Sequence, residues 1–112
     1  MARVLRGEVR WADRNPPRGH EQAGHRPVLI LSHDVFNERT GTVIVVALTS
    51  QQPRAGFPLA LESKAEGLPK PTWMKASQIR TMAAERIGRR IARASNQELA
   101  RVIDGLNERL GR

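Results

Sequence analysis

Polar and apolar positions alternate near the start of the chain. Glu8-Val9-Arg10-Trp11-Ala12 carries the period of two that marks a strand with one buried face. The pattern stops over residues 13–26, which Pro16, Pro17, Gly19 and Gly24 punctuate. A connection of that length is uncommon in a compact domain, and such loops are often functional. Residues 28–31 (Val-Leu-Ile-Leu) read as a buried strand, and residues 33–41 as a polar connection. Residues 42–48 are β-branched and apolar on both faces, which predicts a central strand. Residues 49–56 form a loop. Residues 57–61 form a short strand that Pro58 confines to a sheet edge.

Residues 66–71 are a second punctuated loop, and residues 72–76 another strand. Residues 77–84 fit neither period cleanly; one helical turn is the nearest reading. Residues 86–93 read as a last strand, with Ile87 and Ile91 alternating with charge and Gly88 interrupting. One helix is plain, over about residues 95–110. Ser95-Asn96-Gln97-Glu98 is a capping box, with Ser95 as N-cap and Glu98 reaching back to its amide. Leu99, Val102, Ile103, Leu106 and Leu110 follow as one apolar stripe. Gly105 weakens the helix by ~1 kcal/mol relative to alanine, and Gly111 is placed to end it. The pattern predicts an α+β, mainly β domain spanning residues 1–112. Its architecture is a small, strongly bent sheet or barrel of short, mostly antiparallel strands with a C-terminal helix.

Charge adds a partner class. The net charge is +8, and arginine makes up most of the Lys+Arg total of 19. Such an excess favours nucleic acid, an anionic membrane or an acidic protein. A genome rich in G and C accounts equally well for arginine over lysine, but not for the net charge. No basic amphipathic helix with an aromatic face is visible, which makes a membrane the weaker partner. Residues 1–6 lack the apolar core of a signal peptide. The longest apolar run, residues 43–48, is far too short to span a bilayer. The expectation is a cytoplasmic protein. Cysteine is absent, which excludes disulfides and thiolate metal sites.

Candidate chemistry is densest in residues 18–27, where Arg18, His20, Glu21, His25 and Arg26 precede the first buried run. His20 and His25 match no usual zinc spacing, and solvated loop histidines are the better reading. No serine sits in a nucleophile elbow, and no Walker-type phosphate loop is present. Acid-base and electrostatic chemistry on a phosphodiester remains. RNA carries its own nucleophile in the 2′-hydroxyl. A protein needs only to orient it, steady the phosphoryl charge and assist the leaving 5′-oxygen. Arginine, histidine, glutamate and a strand-end hydroxyl suffice, and this chain has them in the 18–27 loop and at Thr49. A basic domain with a solvated loop stays open as the plainer alternative.

Four segments together resemble the MazF/PemK family of toxin endoribonucleases. They are Arg6-Gly7-Glu8-Val9-Arg10-Trp11-Ala12-Asp13, Gly19-His20-Glu21-Gln22-Ala23-Gly24-His25-Arg26-Pro27, Leu48-Thr49-Ser50-Gln51 and Gln78-Ile79-Arg80-Thr81. They come in the family's order, and Arg86-Ile87-Gly88-Arg89 and the capped helix also fit. The resemblance implies an SH3-like barrel assembled as a homodimer. It implies cleavage of single-stranded RNA at short specific sequences, without metal or cofactor, leaving a 2′,3′-cyclic phosphate and a 5′-hydroxyl. It implies neutralisation by a cognate antitoxin with an acidic segment.

Residue by residue, Arg26 matches the family's catalytic arginine. A guanidinium stays charged at neutral pH, which suits it to phosphate stabilisation. Thr49 matches the catalytic threonine, and strand-end capping is compatible with that role. Glu21 and His25 are alternative bases; a group titrating near neutrality transfers protons best, which favours His25. A structural role in the loop is an equal alternative for each. Gln51 and Gln78 fall at RNA-contacting positions, and Arg80 and Arg86 serve phosphate binding or dimer contacts. Two departures bear on base selection: Ser77 stands where many relatives have an acidic residue, and His33-Asp34 where many have Asn-Asp. Trp11 and Trp73 read as core rather than as stacking platforms. Two readings compete on the same barrel: a non-catalytic toxin of the CcdB type, which binds DNA gyrase, and a basic domain that binds nucleic acid without cutting it.

Overall fold

The structure is a computed structural model that describes residues 3–13, 25–54, 60–63, 65, 67–68 and 70–110. The elements run β1 (Glu8–Asp13), β2 (His25–Ile30), α1 (Asp34–Thr40), β3 (Thr42–Thr49), β4 (Ala60–Ser63), β5 (Thr72–Ala83), a 3-10 turn (Ala84–Arg86), β6 (Ile87–Arg93) and α2 (Asn96–Leu110). The six strands form one antiparallel sheet in the order β4-β5-β3-β2-β1-β6. The sheet curls into a half-barrel. At its open side the segment after β4 reaches β6: a Cβ on Gly67 would lie 2.8 Å from the Ile91 carbonyl oxygen, and Gly67 has φ +101°. Only glycine fits both that conformation and that approach.

Both faces of the sheet are packed. Val9, Leu29, Val46, Leu48 and Met74 form one core with Val102, while Leu99 and Leu106 of α2 pack against it. Ala12, Val28, Ile30, Val43, Val45 and Met82 form the second. The β-branched run of β3 supplies both, as its two-sided apolar pattern requires.

β1 departs from its half-buried reading because Glu8 and Arg10, the polar half of the alternation, are themselves buried. They pair at 2.8 Å, and Arg10 also donates to the carbonyls of Gly88 (2.8 Å) and Arg3 (3.1 Å). β2 begins at His25 rather than Val28, so Arg26 is a strand residue paired with Ala12.

The connection over residues 33–41 contains a helix. His33 caps it by accepting the Val35 amide on Nδ1 at 3.1 Å, and Gly41 ends it in the left-handed region at φ 69°. Its buried residue is Asn37, whose Nδ2 donates to the carbonyls of Val4 (3.1 Å) and Ser32 (3.2 Å). A seven-residue helix anchored by a polar side chain leaves no apolar stripe to read.

Residues 77–83 continue β5 instead of forming a helical turn. The β3–β5 register jumps from Val46↔Ile79 to Leu48↔Met74. Residues 75–78 therefore stand opposite Ala47 in a wide bulge, and a bulge erases the period of two. β4 is an edge strand at residues 60–63; it overlaps the expected strand over 57–61 only at residues 60 and 61, and Pro58 lies outside the described residues.

α2 starts as its cap predicts, with Ser95 Oγ accepting the Glu98 amide at 3.1 Å. The buried Glu98 carboxylate accepts from Ser63 Oγ at 2.7 Å, which ties the helix to β4.

Candidate active site

Register brings the two leading residues together. β2 and β3 pair Ile30 with Val45 and Val28 with Ala47. Two residues further, the same register sets Arg26 across from Thr49, on one face of the sheet. Both line a cleft of about 450 Å³ at the end of β1–β3. Arg26 is exposed, and Thr49 is half-buried. The chain turns sharply after β3, and the Gln51 amide donates to Thr49 Oγ1 at 3.1 Å. That bond fixes the hydroxyl and occupies one of its lone pairs, while its proton stays available to an acceptor in the cleft.

Ser50 and Gln51 continue the polar wall. Trp11, Pro27, Leu48 and Ile91 belong to the other face of the sheet and give the cleft an apolar side. Trp11 is thus half-buried on the cleft wall and belongs to neither core cluster, unlike the core placement read from its strand pattern.

Lys70 and Leu68 also line the cleft. Sequence reasoning missed both. The glycine that docks this loop on β6 lies just before them, and Thr72 Oγ1 holds the far end by donating to the Lys70 carbonyl at 3.0 Å. The one signal was Lys70 itself, a cation between Pro69 and Pro71 in a loop too short to wander. Arg26 and Lys70 face no carboxylate among the described lining residues. Among the described lining residues the charge of the cleft is therefore positive.

The other expected residues fall elsewhere. His25 opens β2, beside Arg26 in the chain. Glu21 and His20 lie outside the described residues. Ser77 and Gln78 are in the β5 bulge, whose register break is next to Leu48 and so close to Thr49. Arg80 pairs with Val45, four residues up β3 from Thr49, about 13 Å at the usual strand rise. Arg80 and Arg86 border a separate hollow of about 250 Å³. His33 is exposed, caps α1 and is not among the cleft residues. No group of three His, Asp or Glu side chains among the described residues could hold a metal ion. No helix among them is long and apolar enough to cross a membrane.

Known proteins resemble this chain in sequence and fold. The endoribonuclease EndoA of Bacillus subtilis is 33% identical over 105 residues, covering 92% of this chain and 90% of its own. A MazF structure from Deinococcus radiodurans superposes with a TM-score of 0.78 at 28% identity, covering 100% of both chains. A MazE–MazF structure from the same organism gives 0.82 at 29% identity, covering 99% of this chain and 98% of that one. The family described as PemK-like, MazF-like toxins of type II toxin–antitoxin systems matches residues 5–110. With the fold, the match along nearly the whole chain and the curated relative in agreement, the chain belongs to the PemK/MazF toxin family.

Proposed function

We propose that the chain is a toxin endoribonuclease that cuts single-stranded RNA, messenger RNA above all, in the cleft between Arg26 and Thr49. The observation that carries this reading is the cross-strand placement of a guanidinium and an oriented hydroxyl in a cleft that Lys70 also lines. EndoA, an endoribonuclease by name, supports it. The 2′-oxygen of the substrate attacks the adjacent phosphorus, and the bond to the 5′-oxygen breaks. The products are a 2′,3′-cyclic phosphate and a 5′-hydroxyl. Arg26 binds the phosphoryl oxygens and offsets the charge that grows on them. Thr49 donates its remaining proton to one of them. His25 or Glu21 takes the 2′-proton, and a second group or water returns a proton to the leaving oxygen. No step calls on a metal.

The same reading includes a homodimer and an acidic antitoxin. The MazE–MazF relative is consistent with such a partner, and the positive cleft is complementary to an acidic segment. Cutting of messenger RNA in the cytoplasm would stop translation and growth.

The test is end-mapping of a mixed single-stranded RNA pool treated with the purified chain in EDTA. Fragments ending in 2′,3′-cyclic phosphate, at recurrent short sequences and absent with Arg26→Ala, are expected. Intact RNA under these conditions would overturn the reading.

A further inference from the structure

We infer that Trp11 is a platform for a nucleobase next to the phosphate held by Arg26, an assignment that rests on the RNA-cleaving reading above. Trp11 is the one aromatic side chain among the described residues lining the cleft. It is half-buried, and it is packed into neither core cluster. Val9, the neighbour on the same face of β1, is fully covered, whereas Trp11 at the end of the strand is left half-exposed toward the cleft.

Its position relative to the anion site is set by register. Trp11 pairs with Pro27, the residue after Arg26. With strands about 4.8 Å apart and a rise of about 3.4 Å per residue, the Trp11 and Arg26 backbones lie about 6 Å apart. Their side chains leave opposite faces of the sheet and both line the cleft at its end, so a nucleotide lying across that end would meet Arg26 with its phosphate and Trp11 with its base. Leu68 and Ile91, in the same wall, extend the apolar surface, and Lys70 adds a second cation for the adjoining backbone. A cleft with cations and an aromatic face beside them is how single strands are held: charge tracks the phosphates and the ring takes a base. Every base has a π-face, so this platform fixes where the strand sits more than which base is chosen.

The experiment uses the purified full-length chain and oligonucleotides spanning a cleavage site mapped on the RNA pool. A 2′-deoxy sugar at the scissile nucleotide removes the nucleophile and makes the ligand uncleavable. Binding is measured by anisotropy with wild type, Trp11→Phe and Trp11→Leu, on the intact ligand and on ligands made abasic at each position flanking the scissile phosphate. Trp11→Leu is expected to weaken binding of the intact ligand about 10-fold or more, and Trp11→Phe to restore most of it. On the ligand abasic at the platform position, Trp11→Leu is expected to make no further difference. A second readout needs no unstable variant. In Trp73→Phe the indole of Trp11 is the sole one left, and its emission should be quenched by the intact ligand and not by that abasic one. Losses that are equal on every abasic ligand, or emission indifferent to the base, would overturn the assignment and leave the nuclease standing. Wild type that neither cuts nor binds RNA would overturn both.

Discussion

The Gln51 amide donates to the hydroxyl oxygen of Thr49 at 3.1 Å. A hydroxyl carries one proton, and this bond leaves it for another acceptor. In the proposed reaction that acceptor is a charged phosphoryl oxygen, a hydrogen bond worth ~1.5–3 kcal/mol. Thr49→Val, which keeps the shape and removes the hydroxyl, is expected to lower kcat about 10- to 150-fold. Thr49→Ser should keep most of the activity. Single-turnover cleavage of a mapped oligonucleotide measures both, and full activity in Thr49→Val would take the hydroxyl out of the mechanism.

Arg26 is exposed and forms no ion pair among the described residues. Its removal should therefore spare the fold and strike the chemistry. A positioned donor to developing oxyanion charge contributes ~2.7–4 kcal/mol, so Arg26→Ala is expected to reduce kcat about 100- to 1,000-fold with an unchanged Tm. Arg26→Lys restores the charge without the two-pronged geometry and should recover only part of the rate. A large fall in Tm for Arg26→Ala would make the residue structural.

The motifs that single out Arg26 and Thr49 as candidates are legible in the sequence, while the juxtaposition of the two residues is not. The sequence pattern puts Arg26 at the end of a loop, and the register that sets it opposite Thr49 exists only because β2 starts at His25. The strands with the strongest patterns, β1, β3 and β6, were visible at nearly their true bounds. Elements held by polar contacts were hidden. α1 is anchored by Asn37 and capped by His33, so no apolar period marks it. Residues 75–78 of β5 lose theirs to a bulge. For Lys70 the sequence shows a cation between two prolines but not its place in the cleft, because a close backbone approach at Gly67 puts it there, and no pattern of side chains encodes such an approach.

The buried pair on β1 concerns stability. Arg10 meets Glu8 at 2.8 Å with both side chains covered, and the Glu8 carboxylate also accepts the Leu5 amide at 2.9 Å. Arg10→Met would leave that carboxylate with the Leu5 amide and the more distant Arg90, 3.9 Å away. Stranding a buried charge costs ~3–5 kcal/mol, and Arg90 argues for the lower end. At ~4 °C per kcal/mol for a chain of this size, Tm should fall by about 12 °C. Adding Glu8→Gln removes the stranded charge and should return part of the loss, a coupling that a double-mutant cycle in urea would read directly. Two additive single losses would show that the pair is not a unit.

Lys70 tests the charge of the cleft separately from its chemistry. It is exposed on the cleft wall, and its loop is held by Gly67 against β6 and by the Thr72 hydroxyl. If Lys70 neutralises one backbone phosphate, it releases about 0.7 of a counterion from a single strand, and the slope of log K against log salt records it. Lys70→Gln is expected to make that slope shallower by about 0.7 on the uncleavable ligand. The loss of affinity should be the same on every sequence tested, since a phosphate contact reads no base. Gly67→Ala offers the control. Forcing a Cβ to within 2.8 Å of the Ile91 carbonyl moves the loop and with it both Lys70 and Leu68, so stability and binding should fall together. Lys70→Gln alone should shift binding while Tm holds. An unchanged slope in Lys70→Gln would place the phosphate path along the Ser50–Gln51 side of the cleft instead.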